Sequence, residues 1–464
     1  MKFETDYKIE NFIINTSWGN LPSEVQNRLK GCFLDLVGAL IAGSRSVQFE
    51  AGLSLAERVF GRGDIAVIGT DKRFGFMGAS CAMGHSSNAY DIDDGHNITR
   101  AHHGTSFVGA VLAAAYEKNI MKFEFLSAML TAYEISIRSG AAIMDYYNYA
   151  HSSGTFGAVG VAAGVGKIYG FTKEQLNNVL SVAEFNAPLV PGIRSVEYPS
   201  MNKDGVPFGV MVGALAVMET IGGFSGNKNL LEADAYKHLS SDLGEKYHIM
   251  DLYFKPYPCC RWAHPAIDAC IGLMKDYGIK GEDIKRVTVQ TFKRATMLSK
   301  IEPKTADEAQ YNIAYPIAAT LVRGGFGIEE VSEESFKDKK ILEMMKKLSF
   351  EADEELDSKF PARRICRMEI ETQNGKKYLS ADCEPRGEAY ENIGYDWLAD
   401  KFRRITAPVL TKEGQEAIIN LIESDENLSI RTLVDTINSK IEYKNGFKQT
   451  QRNKFSRPSF QIQA

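Results

Sequence analysis

The stretch from Tyr90 to Glu117, YDIDDGHNITRAHHGTSFVGAVLAAAYE, gathers Asp91, Asp93, Asp94, His96, His102 and His103 within thirteen residues. Five of the eight histidines fall between His85 and His151. Imidazole titrates near neutral pH, and a neighbouring carboxylate orients the ring and favours its charged form. Together these groups are equipment for proton transfer. His103 is the favoured proton carrier, with Asp91 across the loop as the carboxylate that orients it. His102 is the direct competitor, because a one-residue shift at a loop–helix junction exchanges the two directions. A polar loop capping a buried helix is the plain alternative for the whole stretch.

Four further residues are candidates. His151 stands at a helix start, where backbone N–H groups and the helix dipole favour an anion. Lys203 sits in an irregular segment between helices, and Lys255 precedes two prolines, Pro256 and Pro258, that stiffen the chain. Tyr315 lies in the apolar run Ile313-Ala-Tyr-Pro-Ile, where core packing with a satisfied hydroxyl is the competing explanation. Gly61, Gly63 and Ala66 match a dinucleotide fingerprint only nominally, since no helix opens on them. Cys259, Cys260 and His264 lack the second ligand pair of a zinc site. The expectation is catalysis without metal or organic cofactor.

The elements that must position these groups are mostly helices. Val25, Leu29, Cys32, Phe33, Leu36, Val37 and Leu40 recur at steps of three and four over 22–42. Helices are expected at 47–60, 74–90, 106–117, 123–140, from about 154 to Gly170, and from Gly205 to about Thr220, with no sheet in this part. Thr172 and Gln175 form a capping box for a helix over 173–186. After a helix at 265–277, Ile284 to Thr291 alternates with period two and predicts a strand. Helices are expected at 306–323 and about 333–347, and Ile365 to Cys383 predicts a hairpin turning at Asn374-Gly375. Helical patterns return at 395–405, 412–422 and 429–440, before a polar tail beyond Tyr443 that is expected to be loosely ordered. The resulting fold class is mainly α: a large all-helical domain (1–264), a smaller α+β lid (265–400) and a helical return segment (401–464) packing on the first domain.

Composition narrows the function classes. The 464 residues carry a net charge of −5, with 44% hydrophobic and 24% charged residues, and only short Lys/Arg pairs. Neither nucleic acid nor an anionic membrane surface is an expected partner. There is no run of about 18 apolar residues and no apolar signal core. Seven cysteines at irregular spacing argue for free thiols and a cytoplasmic protein.

Five motifs occur in order: YDIDDGH with the following HH and VGAVLAAAYE, HSSGTFGAVGVAAGVGKIYG, the Lys203 segment, KPYPCCRWAHPAIDA and YNIAYPIAATLVRGG. In this order they resemble the MmgE/PrpD family, which includes 2-methylcitrate dehydratase, cis-aconitate decarboxylase and iminodisuccinate epimerase. The resemblance covers about residues 10–440. It implies a large helical domain with an α+β lid, a homodimer, and an active site between domain and lid. It also implies roles by position: Asp91, His103, His151 and Tyr315 as catalytic, and Lys203, Lys255, His102 and Gly95 as substrate-binding. Gly95 stands where the family often has threonine, and His103-Gly-Thr replaces the familiar His-Pro-Ser.

The chemistry so implied is proton movement next to a carboxylate of a small di- or tricarboxylate. A carbon–oxygen lyase of the 2-methylcitrate dehydratase type ranks first. An epimerase (an isomerase) acting on an iminodisuccinate-like substrate ranks second, and a cis-aconitate-like decarboxylase third. A catalytically silent carboxylate-binding homologue is the alternative from another class.

Overall fold

The structure is a computed structural model that describes residues 1–3 and 6–441; the polar tail beyond Tyr443 lies outside the described residues. It is mainly α, with a smaller α+β part.

The helix Ser23–Gly43 buries the apolar stripe that its sequence spacing predicts, from Val25 through Leu40. Ser153–Ile168 lies at the centre of the helical part and packs against Thr105–Lys118, Lys122–Tyr147, Lys173–Asn186 and Val206–Ile221. Its small residues permit that approach. A Cβ on Gly157 would press into the Ser106 backbone of the neighbouring helix. The predicted capping box closes the start of Lys173–Asn186, with Thr172 and Gln175 satisfying each other's backbone N–H groups.

Apolar side chains form two main cores. The first runs from Ile9 to Phe254 and resumes at Leu398 through Ile441; the second holds Val196 and then Tyr257 through Ile370. The chain therefore leaves the helical core just after Lys255 and re-enters it with Tyr395–Thr406, which packs along Ser23–Gly43. The second core is built on a four-stranded sheet ordered Leu348–Ala352, Ile284–Thr291, Cys366–Thr372, Lys377–Leu379. Its first pair is parallel and the others are antiparallel. Gly375 takes φ +81°, as the turn demands of it.

Several elements differ from the sequence expectation. The helical part contains two small sheets, Arg62–Ala66 with Arg73–Phe74 and Asp94–His96 with Leu252–Phe254. The helix expected over 306–323 is broken into Ala306–Gln310 and Ala314–Arg323. Asn312 causes the break, its side chain accepting from the Tyr315 N–H at 2.8 Å and capping the second piece. The helix expected at 333–347 shrinks to Lys339–Met345, and Leu348–Ala352 becomes an edge strand. All seven cysteines are free thiols. Among the described residues no single helix is long and apolar enough to cross a membrane.

Candidate active site

A three-residue strand pair builds the site. Asp94, Gly95 and His96 lie opposite Phe254, Tyr253 and Leu252. This pairing carries the acidic stretch against Lys255, more than 150 residues later in the chain. Asp91 occupies the left-handed region at φ +50° and is 1% exposed. Its Oδ1 lies 2.5 Å from Lys255 Nζ and 3.3 Å from His102 Nε2.

His102 is held from both ends. Its Nδ1 is 3.1 Å from Asp93 Oδ2 and 2.9 Å from the Asp94 carbonyl, so this nitrogen carries a proton. Its Nε2 faces Asp91 and, at 4.0 Å, Asp204 Oδ2. Burial works against a charged ring, but Asp93 and Asp91 outweigh it and hold the His102 pKa well above the ordinary value. Burial likewise works against the Asp93 carboxylate, yet His102, Lys255 and the Thr105 hydroxyl bring its pKa down to about 2. Asp94 goes the other way, to about 7, because burial and the neighbouring Asp93 charge both disfavour its ionisation. The Tyr133 hydroxyl donates to Asp94 Oδ2, and the Gly104 N–H donates to Oδ1 at 3.1 Å.

The smaller α+β part, the lid of the sequence expectation, borders the other side. Tyr311 donates to Asp204 Oδ2 at 3.0 Å, and Gln310 donates to the Ala89 carbonyl at 3.1 Å. Lys203, in the left-handed region at φ +37°, donates to the Asn88 carbonyl at 3.1 Å and to that of Ala89, and pairs with Asp307 of the lid at 3.4 Å. Burial lowers the Lys203 pKa, with Asp307 and Asp91 opposing. Burial also works against the Lys255 ammonium, but Asp91 more than offsets it, and its pKa is raised. Asp204 is pushed above the usual carboxylate range by burial, against the pull of His102.

Of the residues singled out in the sequence, Asp91, His102, Lys203 and Lys255 come together. His103 does not join them. Its ring is fully buried in the helical core, with Nε2 2.7 Å from the Thr99 hydroxyl and Nδ1 2.6 Å from that of Ser136. Burial, with the charges of His96 and His102, keeps it neutral, its pKa well below the usual value. The imidazole beside Asp91 thus belongs to His102, and the expected Asp91–His103 pairing is not formed. The physical reason is the junction itself: the Gly104 N–H is bound to Asp94 and His102 to Asp93, which turns the following ring inward.

Tyr315 is likewise turned away, its hydroxyl donating to the Glu330 carbonyl at 2.7 Å within the lid core and its ring packed beside Phe326 and Phe336. The lid tyrosine that reaches the site is Tyr311. His151 is buried, both ring nitrogens lack a hydrogen-bond partner among the described residues, and burial lowers its pKa to about 4. Its ring stacks on Tyr149 at 3.9 Å and stands beside Phe156, whose other neighbour is His103. Gly95 packs under the Tyr253 ring, which any Cβ at this position would overlap.

Sequence reasoning passed over Asp204 and Tyr311. The signals were present: a carboxylate directly after Lys203, and an earlier tyrosine in the same motif as Tyr315. Donor atoms of Asp91, His102 and Asp204 lie within 4.8 Å of one another, as do those of His96, His248 and Asp251. The first set is poorly suited to a cation. Asp91 already accepts from an ammonium, and a histidine ligand must be neutral whereas His102 is held protonated.

The family model of the MmgE/PrpD N-terminal domain matches residues 7–240, and that of the C-terminal domain matches residues 257–427. The chain belongs to the MmgE/PrpD family. Among its members, the chain is 22% identical to the cis-aconitate decarboxylase-like protein oryM of Aspergillus oryzae, over 92% of this chain and 94% of that one. It is 23% identical to the cis-aconitate decarboxylase of Aspergillus terreus over the same shares, and 21% identical to that of Homo sapiens over 90% and 91%. The lysine that pairs with Asp91, Lys255, lies in the short interval between the two matches, just before the second begins.

Proposed function

We propose that the protein is a lyase acting on a small di- or tricarboxylate, with His102 carrying the proton next to a substrate carboxylate. The observation that supports this most is the His102 ring, held between Asp93 and Asp91, with the buried Lys255 paired to the same Asp91. Cations offset the negative charge that builds up when a proton leaves a carbon next to a carboxylate. Lys203 and Lys255 supply them. A charged imidazole is a ready acid, and Asp204, with its raised pKa, is a better base than an ordinary carboxylate.

In a dehydration of the 2-methylcitrate dehydratase type, Asp204 takes the carbon-bound proton as His102 protonates the departing hydroxyl. The carbon–oxygen bond breaks, a double bond forms and water leaves. A decarboxylation is the second reading. It is favoured by the protonated resting state of His102, which is the acid that the carbon losing carbon dioxide requires, and by the names of the relatives. Tyr311 holds Asp204 in either case, and His151, with both nitrogens free, is a second acid–base candidate.

The assembly proposed with this function is a homodimer. Phe208, Leu215, Met218 and Ile221 form an exposed stripe on Val206–Ile221, and Phe185, Tyr198 and Phe224 are exposed in neighbouring segments. An apolar surface of this kind marks an interaction site. The stripe begins four residues after Asp204, so pairing would brace the segment that supplies Lys203 and Asp204.

Incubating the protein with a panel of di- and tricarboxylates in deuterium oxide, followed by proton NMR, tests the reading. Vinyl signals with water loss identify a dehydratase, carbon dioxide release a decarboxylase, and deuterium uptake without either an epimerase. Binding with none of these changes identifies a carboxylate-binding homologue and overturns the lyase.

A further inference from the structure

Tyr253 has no part in the chemistry described so far, yet it is placed within it. In an extended strand alternate side chains share a side, so Tyr253 and Lys255 project together toward the acidic stretch. Tyr253 pairs across the strands with Gly95, and its Cζ and hydroxyl lie where a side chain at Gly95 would stand. Two guanidinium groups fix the ring, Arg261 with its Cζ 4.8 Å and Arg364 with its Cζ 5.7 Å from the ring centroid. Arg261 is anchored by Glu388 at 2.9 Å and Arg364 by Asn97 at 2.7 Å, so the clamp cannot easily swing away.

The hydroxyl itself is unspent. Tyr253 is 3% exposed, and among the described residues its hydroxyl has no hydrogen-bond partner. Three buried tyrosines near the site are engaged: Tyr133 with Asp94, Tyr311 with Asp204, Tyr257 with Asp268. The hydroxyl keeps contact with solvent rather than being sealed in, and a ligand that displaces this water supplies the acceptor in its place.

We infer that the Tyr253 hydroxyl binds a carboxylate oxygen of the substrate beside Lys255, and that Gly95 is the residue whose missing side chain admits it. This rests on the proposed polycarboxylate chemistry and adds to it a specificity-determining residue. The phenol supplies the neutral donor and Lys255 the charge, so the pair selects a carboxylate over an uncharged oxygen. The ring is the structural part of Tyr253 and the hydroxyl the functional part, which makes the two separable.

The test uses cis-aconitate and citrate as probes. Tyr253→Phe keeps the ring under its guanidinium clamp and removes only the oxygen. The thermal midpoint should stay unchanged while Kd, or KM where there is turnover, rises roughly 10- to 100-fold, the scale of losing one hydrogen bond to a charged group. The double variant Gly95→Thr with Tyr253→Ala returns a hydroxyl to the same space from the opposite strand and should bind more tightly than Tyr253→Ala alone. Wild-type affinity in Tyr253→Phe, with the wild-type protein binding a probe, overturns the role of Tyr253 and leaves the polycarboxylate reading standing. Failure of the wild-type protein to bind or convert either probe overturns both.

Discussion

Lys255 Nζ and Asp91 Oδ1 lie 2.5 Å apart where neither side chain meets solvent to any useful extent. Taking two charges out of water is costly, and only their mutual attraction with further hydrogen bonds offsets it. The pair ties the start of the acidic stretch to the last residues before the lid.

Removing one partner should therefore be worse than removing both. Lys255→Met leaves a buried carboxylate unpaired and is expected to cost about 3–5 kcal/mol of stability. Lys255→Met combined with Asp91→Asn should recover much of that loss without recovering activity. Urea unfolding of these two variants and of Asp91→Asn alone checks it, and a fully additive double variant would refute it.

The two adjacent histidines should separate cleanly. His102→Gln is expected to lower turnover roughly 10²- to 10⁴-fold with folding intact, as for the loss of a general acid. His103→Gln should lower the thermal midpoint while leaving turnover by the folded protein near wild type, because its ring bonds Thr99 and Ser136 inside the helical core. Collapse of turnover in His103→Gln alone, at unchanged stability, would return the proton-carrier role to that residue.

The lid tyrosines divide in the same way. Tyr311→Phe removes the hydrogen bond to Asp204 and should reduce kcat/KM about tenfold, on the scale of about 1.4 kcal/mol. Tyr315→Phe forfeits the bond to the Glu330 carbonyl and should cost about 1 kcal/mol of stability with kcat/KM unchanged. Steady-state kinetics beside thermal melts distinguish them.

Stability should carry the signature of His102 and Asp93 at opposite ends of the pH scale. The His102 pKa is raised on folding, so its contribution is complete below about 6.5 and is lost as pH rises through the folded value. The difference in unfolding free energy between wild type and His102→Gln should shrink at alkaline pH. For Asp93, lowered to about 2, the contribution is present above about 3.9 and is lost as pH falls toward 2. Asp93→Asn should lack that acid-side loss. A difference from wild type that does not change with pH would refute either assignment.

Much of this architecture is written locally. The helix at 173–186 announces itself through Thr172 and Gln175, and the strand at 284–291 through alternation. The Asp94–His96 and Leu252–Phe254 pair is not, because each strand is three residues long and its partner is remote in sequence. The same limit governs the site. Residue types and motif order pick out Asp91, Lys203 and Lys255, but the choice between His102 and His103, or Tyr311 and Tyr315, depends on which way a ring turns at a junction. That direction is set by hydrogen bonds of Asp93 and Asp94 across the loop and by the Asn312 cap on the following helix.

Asp307, carried on the α+β part, pairs with Lys203 at 3.4 Å. Under the proposed polycarboxylate chemistry, the protein thus holds a carboxylate of its own at the lysine that would receive the substrate's. Binding there is an exchange rather than an addition, and the incoming anion must outcompete a tethered one. A weakly held monocarboxylate fails that exchange, whereas an anion gripped at two points succeeds, so the threshold for occupancy is set by the lid.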